Sequence, residues 1–504
     1  MTESRREFLK NACGALSMAA LATQMQHFGA ISAFAQRRGD LMAAQPEGGD
    51  AEAGEYRALV LVFWSGGNDG NNTVIPNHND GSVSNYAAYN AARGAQGLAI
   101  AQNQLLPISV PRIGGLTYGL HPAFGPVSGG NNGIHELWAQ QKLAVVTNCG
   151  TLVKPTTKQQ YQQRTVPMPY QLFSHSDQVA QFQTGISTTQ AFTGWGGRVA
   201  DKMNAGSNPG GLIPMITSIS GAQLFTAGQV TLPLAISQAN NTGAPNLANV
   251  LNPSGFSGST ASLARKAAFN DLRTIDLQNN FVKEASHVTD LAMTANAALQ
   301  TSQEVTVAFP NTSIGLQLKQ VARLVKKRTD LSVKRQIFYC QIGGFDTHNN
   351  QVTSQANLLS QFSQAARAFY DEMVAQGVSQ DVTLFSLSDF GRTFNPAGSG
   401  GVVGSDHAWG NHMFVLGGSV VGGNFYGVNT ANGTPFPTLT MGTSGPDDTD
   451  NGSSGRGRWI PTTSVDQYAN TLARWFGLPQ DATTLRTVFP NLTNFAQTNL
   501  GFLP

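Results

Sequence analysis

The chain has 504 residues, a formal net charge of +2, and only 12% charged residues. That length exceeds one small core and fits a large α/β domain with insertions, or two domains. The near-neutral balance excludes a strongly basic nucleic-acid or membrane face, and nothing in it drives disorder by self-repulsion.

The first residues read as an address. "SRREFLK" carries Arg5 and Arg6, an Ala-rich apolar stretch follows, and "AFA" at Ala33 to Ala35 fits a small-x-small cleavage site. Residues 1–35 are therefore expected to be a twin-arginine signal peptide, with the Tat translocase as partner during export. Residues 36–55 read as a linker, and 56–504 as the mature domain. No later segment has the roughly 18 unbroken apolar residues of a membrane span. The mature protein is expected in the periplasm or secreted. Cys149 and Cys340 both end apolar runs and read as two buried thiols.

"RALVLVFW" (Arg57 to Trp64) is a continuous apolar run, expected to be a central strand. It opens onto "SGGNDGNNTVIP", with Asp69 at its lip. "KLAVVTNCG" reads as a second strand, and "SHSDQVAQFQTG" as a helix closed by Gly185. "LIPMITSIS" and "VTLPLAIS" look strand-like, and residues 262–303 look helical. Residues 205–305 are read together as a cap-like insertion. "GLQLKQVARLVKKR" is an amphipathic helix, followed by strands at "RQIFYCQIGG", "VTLFSLS" and "HMFVLGG" and a last helix at "SVDQYANTLARWFGL". Strands alternating with helices predict a mostly parallel central sheet with helices on both faces. Ligands then collect beyond the carboxyl ends of the strands.

The residues at those ends are Asp69, Asp346 and His348 in "GGFDTHNNQ", Asp389 in "SDFGRT", and Asp406, His407 and His412 in "GSDHAWGNH". Ser174 and His175 follow the second strand after a loop. Mixed Asp/His donors suit zinc, manganese or a similar divalent ion, one or two in number. Each residue also has a plain role. Asp69 suits a turn, Ser174 with Asp177 matches a helix capping box, and His348 could cap a helix. His407 and His412 are rivals for one position. His78, His121, His135 and His287 lack a partner motif and are read as structural. "PDDTDNG" (Pro446 to Gly452) lacks the spacing of a calcium loop and reads as a solvated turn.

These motifs, with "GRGRWIPTTSVDQYANTLARWFG", resemble an uncharacterised bacterial family of Tat-exported proteins placed in the alkaline phosphatase/sulfatase superfamily. The resemblance implies an alkaline-phosphatase-like fold and hydrolysis of a phosphate or sulfate ester, an anionic small molecule. It implies Ser174 as nucleophile and Asp69, His175, Asp346, His348, Asp389, His407 and His412 as the pool of metal ligands. Arg392 in "DFGRT" would hold the anionic group by a forked contact. The chain departs at Phe390, where that superfamily carries a ligand His. The alternative is a non-catalytic exported binding or scaffold protein that kept the fold.

Overall fold

A computed structural model describes residues 55–240, 259–299, 304–398 and 402–504. The signal peptide expected at 1–35 and almost all of the linker lie outside them. The strands are β1 (Arg57–Ser65), β2 (Val74–Pro76), β3 (Leu106–Val110), β4 (Leu116–Leu120), β5 (Leu143–Gly150), β6 (Ile216–Ser218), β7 (Leu234–Ala235), β8 (Arg335–Gly343), β9 (Val382–Ser388), β10 (Asn411–Gly417), β11 (Phe425–Tyr426) and β12 (Thr463–Ser464).

Nine of them form the main sheet, in the order β11-β5-β10-β9-β1-β8-β6-β7, with β12 beside β5. β1 is central because its apolar side chains point alternately to both faces and both faces are covered. Leu59, Leu61 and Phe63 join a core with Trp195 and Val199 of the helix Trp195–Ser207 and Leu472 of the helix Val465–Phe476. On the opposite face Trp64 meets Phe362 of the helix Gln351–Ala375, ring centroids 4.7 Å apart.

The sheet is mixed. β1 runs parallel to β8 and β9, and β6 is parallel to β7 and β8, but β10 lies antiparallel to both β9 and β5. That reversal matters for the site. The carboxyl ends of β8, β1 and β9 lie side by side, and the start of β10 reaches the same edge. Residues just before β10 therefore meet residues just after the other three strands.

β6 and β7 correct the expected insertion: they extend the main sheet. The helices Thr260–Thr274 and Asn280–Leu299, all but Leu299, fall in a separate compact unit. Within it Arg273 bridges the two helices, pairing with Asp290 at 2.7 Å. Cys149 and Cys340 are free and buried. Among the described residues no helix is long and apolar enough to cross a membrane.

Candidate metal centre

The loop after β1 is built on glycine. Gly66 has φ +116°, and a Cβ there would lie 2.4 Å from the amide N of Asp346. Gly67 has φ +78°, and its Cβ would strike the Phe390 ring. Only glycine lets the three strand-end loops approach so closely.

Three imidazoles converge on one carboxylate oxygen. The Nε2 atoms of His175, His348 and His407 lie 3.3, 3.0 and 3.3 Å from Oδ1 of Asp346. Nε2 of His348 and of His407 are 3.0 Å apart. Each Nδ1 faces an acceptor: Asp389 Oδ2 at 2.8 Å for His175, Asp406 Oδ1 at 3.0 Å for His348, and the Phe173 carbonyl at 2.8 Å for His407. An acceptor there places the proton on Nδ1, so every neutral Nε2 carries a lone pair. Three lone pairs then face Oδ1 of Asp346, which also accepts from Arg392, and a second nitrogen of Arg392 stands 3.5 Å from His348 Nε2.

The fit to a cation follows. His175 Nε2 is buried with no hydrogen-bond partner. Tetrahedral ligands bonded at about 2.0–2.1 Å stand about 3.3 Å apart, close to the separations of the three imidazoles from Asp346 Oδ1, though the donor set that is compact all round leaves out His348. One donor atom each of His175, Asp346 and His407 lies within 4.8 Å of the others. Outer hydrogen bonds that fix ligand tautomers are a regular companion of metal sites.

The electrostatics differ among the four groups. Burial opposes ionisation of Asp346, but the Arg392 hydrogen bond and charge outweigh it and hold the carboxyl down at about 2. Burial lowers His348 and His407. The hydrogen bond to Asp389 raises His175, which is the imidazole that takes up a proton most readily. The Phe390 ring packs beside both His175 and His407, with centroids 4.7 and 4.6 Å away. A cleft of about 400 Å³ opens here, lined by Gly66, His175, Ser176, Asp346 and Asp389 among others.

The remaining site residues stand elsewhere. Asp69 is not aimed at the cluster. It is fully buried against Arg93, accepts from Gln351, and takes the Asn71 amide at 3.1 Å. Arg392 does not offer a fork to a ligand. It is buried, and its nitrogens donate to the carbonyls of Gly66, Gly67, Phe345 and Ser405 and to Asp346. Asp389 orients His175 and accepts from the Gly66 amide at 3.0 Å. His412 is buried, accepts the Asn148 amide at 3.2 Å, and is pushed down to about 3 by burial. Ser174 precedes the helix His175–Thr184 but makes no side-chain cap; its Oγ donates to Asp177 Oδ2 at 2.6 Å. Ser176 is the residue that sequence reasoning does not single out; it sits two positions along the same "SHSD" motif. Asp406, expected at a strand end, acts on Nδ1 of His348.

The model of a family described as a protein of unknown function, DUF1501, matches residues 129–435, more than half of the chain. No curated protein matches. Three solved structures show distant likeness. Ps i-CgsB in complex with k-i-k-neocarrahexaose is 8% identical, with a TM-score of 0.30, covering 86% of this chain and 74% of that one. The PsFucS1 sulfatase from Pseudoalteromonas sp. is 11% identical, with a TM-score of 0.26, covering 79% and 67%. A TAB5 alkaline phosphatase mutant with Mg bound is 9% identical, with a TM-score of 0.22, covering 72% and 91%. Likenesses this distant do not assign an activity.

Proposed function

The chain belongs to the DUF1501 family of proteins of unknown function, and on that premise we propose a metal-dependent hydrolase of an anionic ester, a phosphate or a sulfate. One observation carries the reading: three imidazole Nε2 atoms converge on Oδ1 of Asp346 while each Nδ1 faces an acceptor. The proposed setting is outside the cytoplasm, reached by Tat export, on an alkaline-phosphatase-like form of the α/β fold.

His175, Asp346, His348 and His407 would hold the ion, zinc or manganese by their donor chemistry. When bound, such an ion polarises an ester oxygen and lowers the pKa of a bound water or hydroxyl. The protein supplies the rest. Asp389, Asp406 and the Phe173 carbonyl keep each imidazole in the ligating tautomer. The helix His175–Thr184 starts at the cleft, and its positive end favours an anionic group there. Ser174 and Ser176 are the hydroxyls at that helix start. Ser176 lines the cleft, while Ser174 directs its proton to Asp177. A single ion is proposed, because Asp69 is neutralised by Arg93 and Asp389 is engaged by His175 and Gly66.

The test is elemental analysis of the purified protein, paired with turnover on a panel of phosphate and sulfate esters. About one equivalent of zinc or manganese, lost in Asp346→Ala together with turnover, supports the proposal. A metal-free, inert protein sinks it. A second reading, a non-catalytic exported binding protein, is favoured by Arg392, whose donors are spent inside the fold. Bound metal with no turnover across the panel selects that reading.

A further inference from the structure

The run "PDDTDNGSSGRGRW", Pro446 to Trp459, has a place in the site that neither a solvated turn nor a calcium loop describes. Its carboxylates are engaged mainly by backbone amides, and Asp450 Oδ1 also pairs with Arg458 at 3.7 Å. Asp448 Oδ1 accepts from the amides of Asp450 and Arg458, at 3.1 and 3.2 Å, and its Oδ2 from those of Gly442 and Gly457, at 2.8 and 3.1 Å. Asp450 Oδ2 accepts the Arg456 amide at 3.0 Å. The amides of Phe394 and Asn395 then clasp the carbonyls of Gly457 and Arg456 at 3.1 and 3.0 Å. A chain so anchored holds its side chains in fixed places.

Two of those side chains are arginines, and each leads to a different imidazole. Arg456 pairs with Asp406 Oδ2, while Asp406 Oδ1 holds Nδ1 of His348. Arg458 lies over the Phe173 ring, 4.9 Å from its centroid. Phe173 has φ +72°, a left-handed conformation that a bulky aromatic rarely adopts. Its carbonyl accepts from His407 Nδ1 at 2.8 Å. The cation–π contact sits on the very residue whose strained backbone aims that carbonyl.

We propose that Arg456 and Arg458 are positioning residues of the metal centre, bracing His348 through Asp406 and His407 through Phe173. The proposal rests on the reading of the cluster as a metal site. Its physical basis is that outer partners of ligand histidines set ring orientation and basicity, and their loss typically costs about 10–100-fold in affinity.

The experiment uses the full mature protein, stripped of metal and titrated with Co²⁺, read by visible absorption. Arg456→Ala and Arg458→Ala are each expected to weaken Co²⁺ binding by about tenfold and to change the ligand-field bands. The double variant is expected to lose about 100-fold, because the two braces act on different ligands. Arg456→Lys recovers most of the affinity by restoring a charge beside Asp406. Asp406→Asn weakens binding, and adding Arg456→Ala to it costs little more; this cycle also carries the test should the arginine variants fold poorly. Melting of the metal-free variants reports folding separately. Unchanged Co²⁺ affinity and bands in both variants overturn the inference and leave the metal site standing. A raised KM for an ester with unchanged Co²⁺ affinity also overturns it, making the arginines substrate contacts. No Co²⁺ binding by the unsubstituted protein overturns the site reading itself.

Discussion

Asp69 and Asp346 begin as near equivalents. Each follows a β-strand and a pair of glycines, "GGND" after β1 and "GGFD" after β8, and those strands are neighbours. Their fates differ. Asp69 meets Arg93 in a place where neither side chain is exposed. Asp346 stays 48% exposed, with Arg392 beneath it and three imidazoles around it. Both carboxylates meet a buried arginine, so charge balance alone does not separate them. Asp69 is closed off from solvent with its arginine and serves as a strut. Asp346 keeps an exposed face with three imidazoles around it, so of the two it is the one placed to act as a ligand. "GSDHAWGNH" repeats the contrast in histidines: His407 joins the cluster, whereas His412 disappears into the core.

The largest expected effect falls on the closed side. Arg93→Ala leaves Asp69 buried and unpaired, which should cost about 3–5 kcal/mol in urea unfolding. Asp69→Asn in the same background should recover part of that loss. On the open side, Asp346→Ala should raise the zinc Kd at least about 100-fold, about 2.7 kcal/mol by competition titration. A zinc affinity that survives this change would mean that the imidazoles alone make the site, and the contrast with Asp69 would fail.

His412 sharpens the comparison through pH. Its pKa is depressed to about 3 in the native state, so the unfolded chain binds the extra proton below about 6.5. The stability from keeping it neutral is complete above about 6.5 and is lost progressively as pH falls towards 3. At pH 5 the loss is about 2 kcal/mol, and His412→Gln should flatten that slope in thermal melts. The smallest effect is expected at Ser174. Ser174→Ala removes one partly exposed hydrogen bond and should change stability by about 1 kcal/mol or less. If ester turnover is found, Ser176→Ala should reduce it more, since Ser176 lines the cleft.

Much of the frame was legible because strands buried on both faces write themselves as unbroken apolar runs. β5, β8 and β9 lie within the runs expected, and β1 and β10 overrun theirs by one residue each, Ser65 and Asn411. Short β6 and β7 were misread as part of an insertion, because two or three residues carry no periodicity. Asp346, His348, His407 and His175 were legible as donors at strand ends. What a donor would meet was not. Arg93 comes 24 residues after Asp69, and Gln351 comes 282 after it; both partners arrive by tertiary folding alone. Arg392 was placed near the site, but its burial, which turns a fork into an internal brace, is a property of packing. Asp389 likewise reads as a ligand until its neighbour His175 is seen to need an acceptor on Nδ1. Phe390 was noticed as a departure, and the structure shows its ring packed beside two of the imidazoles.

The central place of β1 sets a timetable. Arg57 pairs with Arg335 on one side, and Ala58 with Val382 on the other. The strand that is made early therefore waits for its first partner, made about 280 residues later. At roughly 5–20 residues per second of synthesis, that wait is on the order of 15–55 s. Throughout it, an unbroken apolar strand has neither edge covered. The cluster is later still, since it needs His407 from near the start of β10. A nascent chain can display His175 long before His407 exists to stand beside it. Assembly of the cluster must therefore await the closing of the sheet.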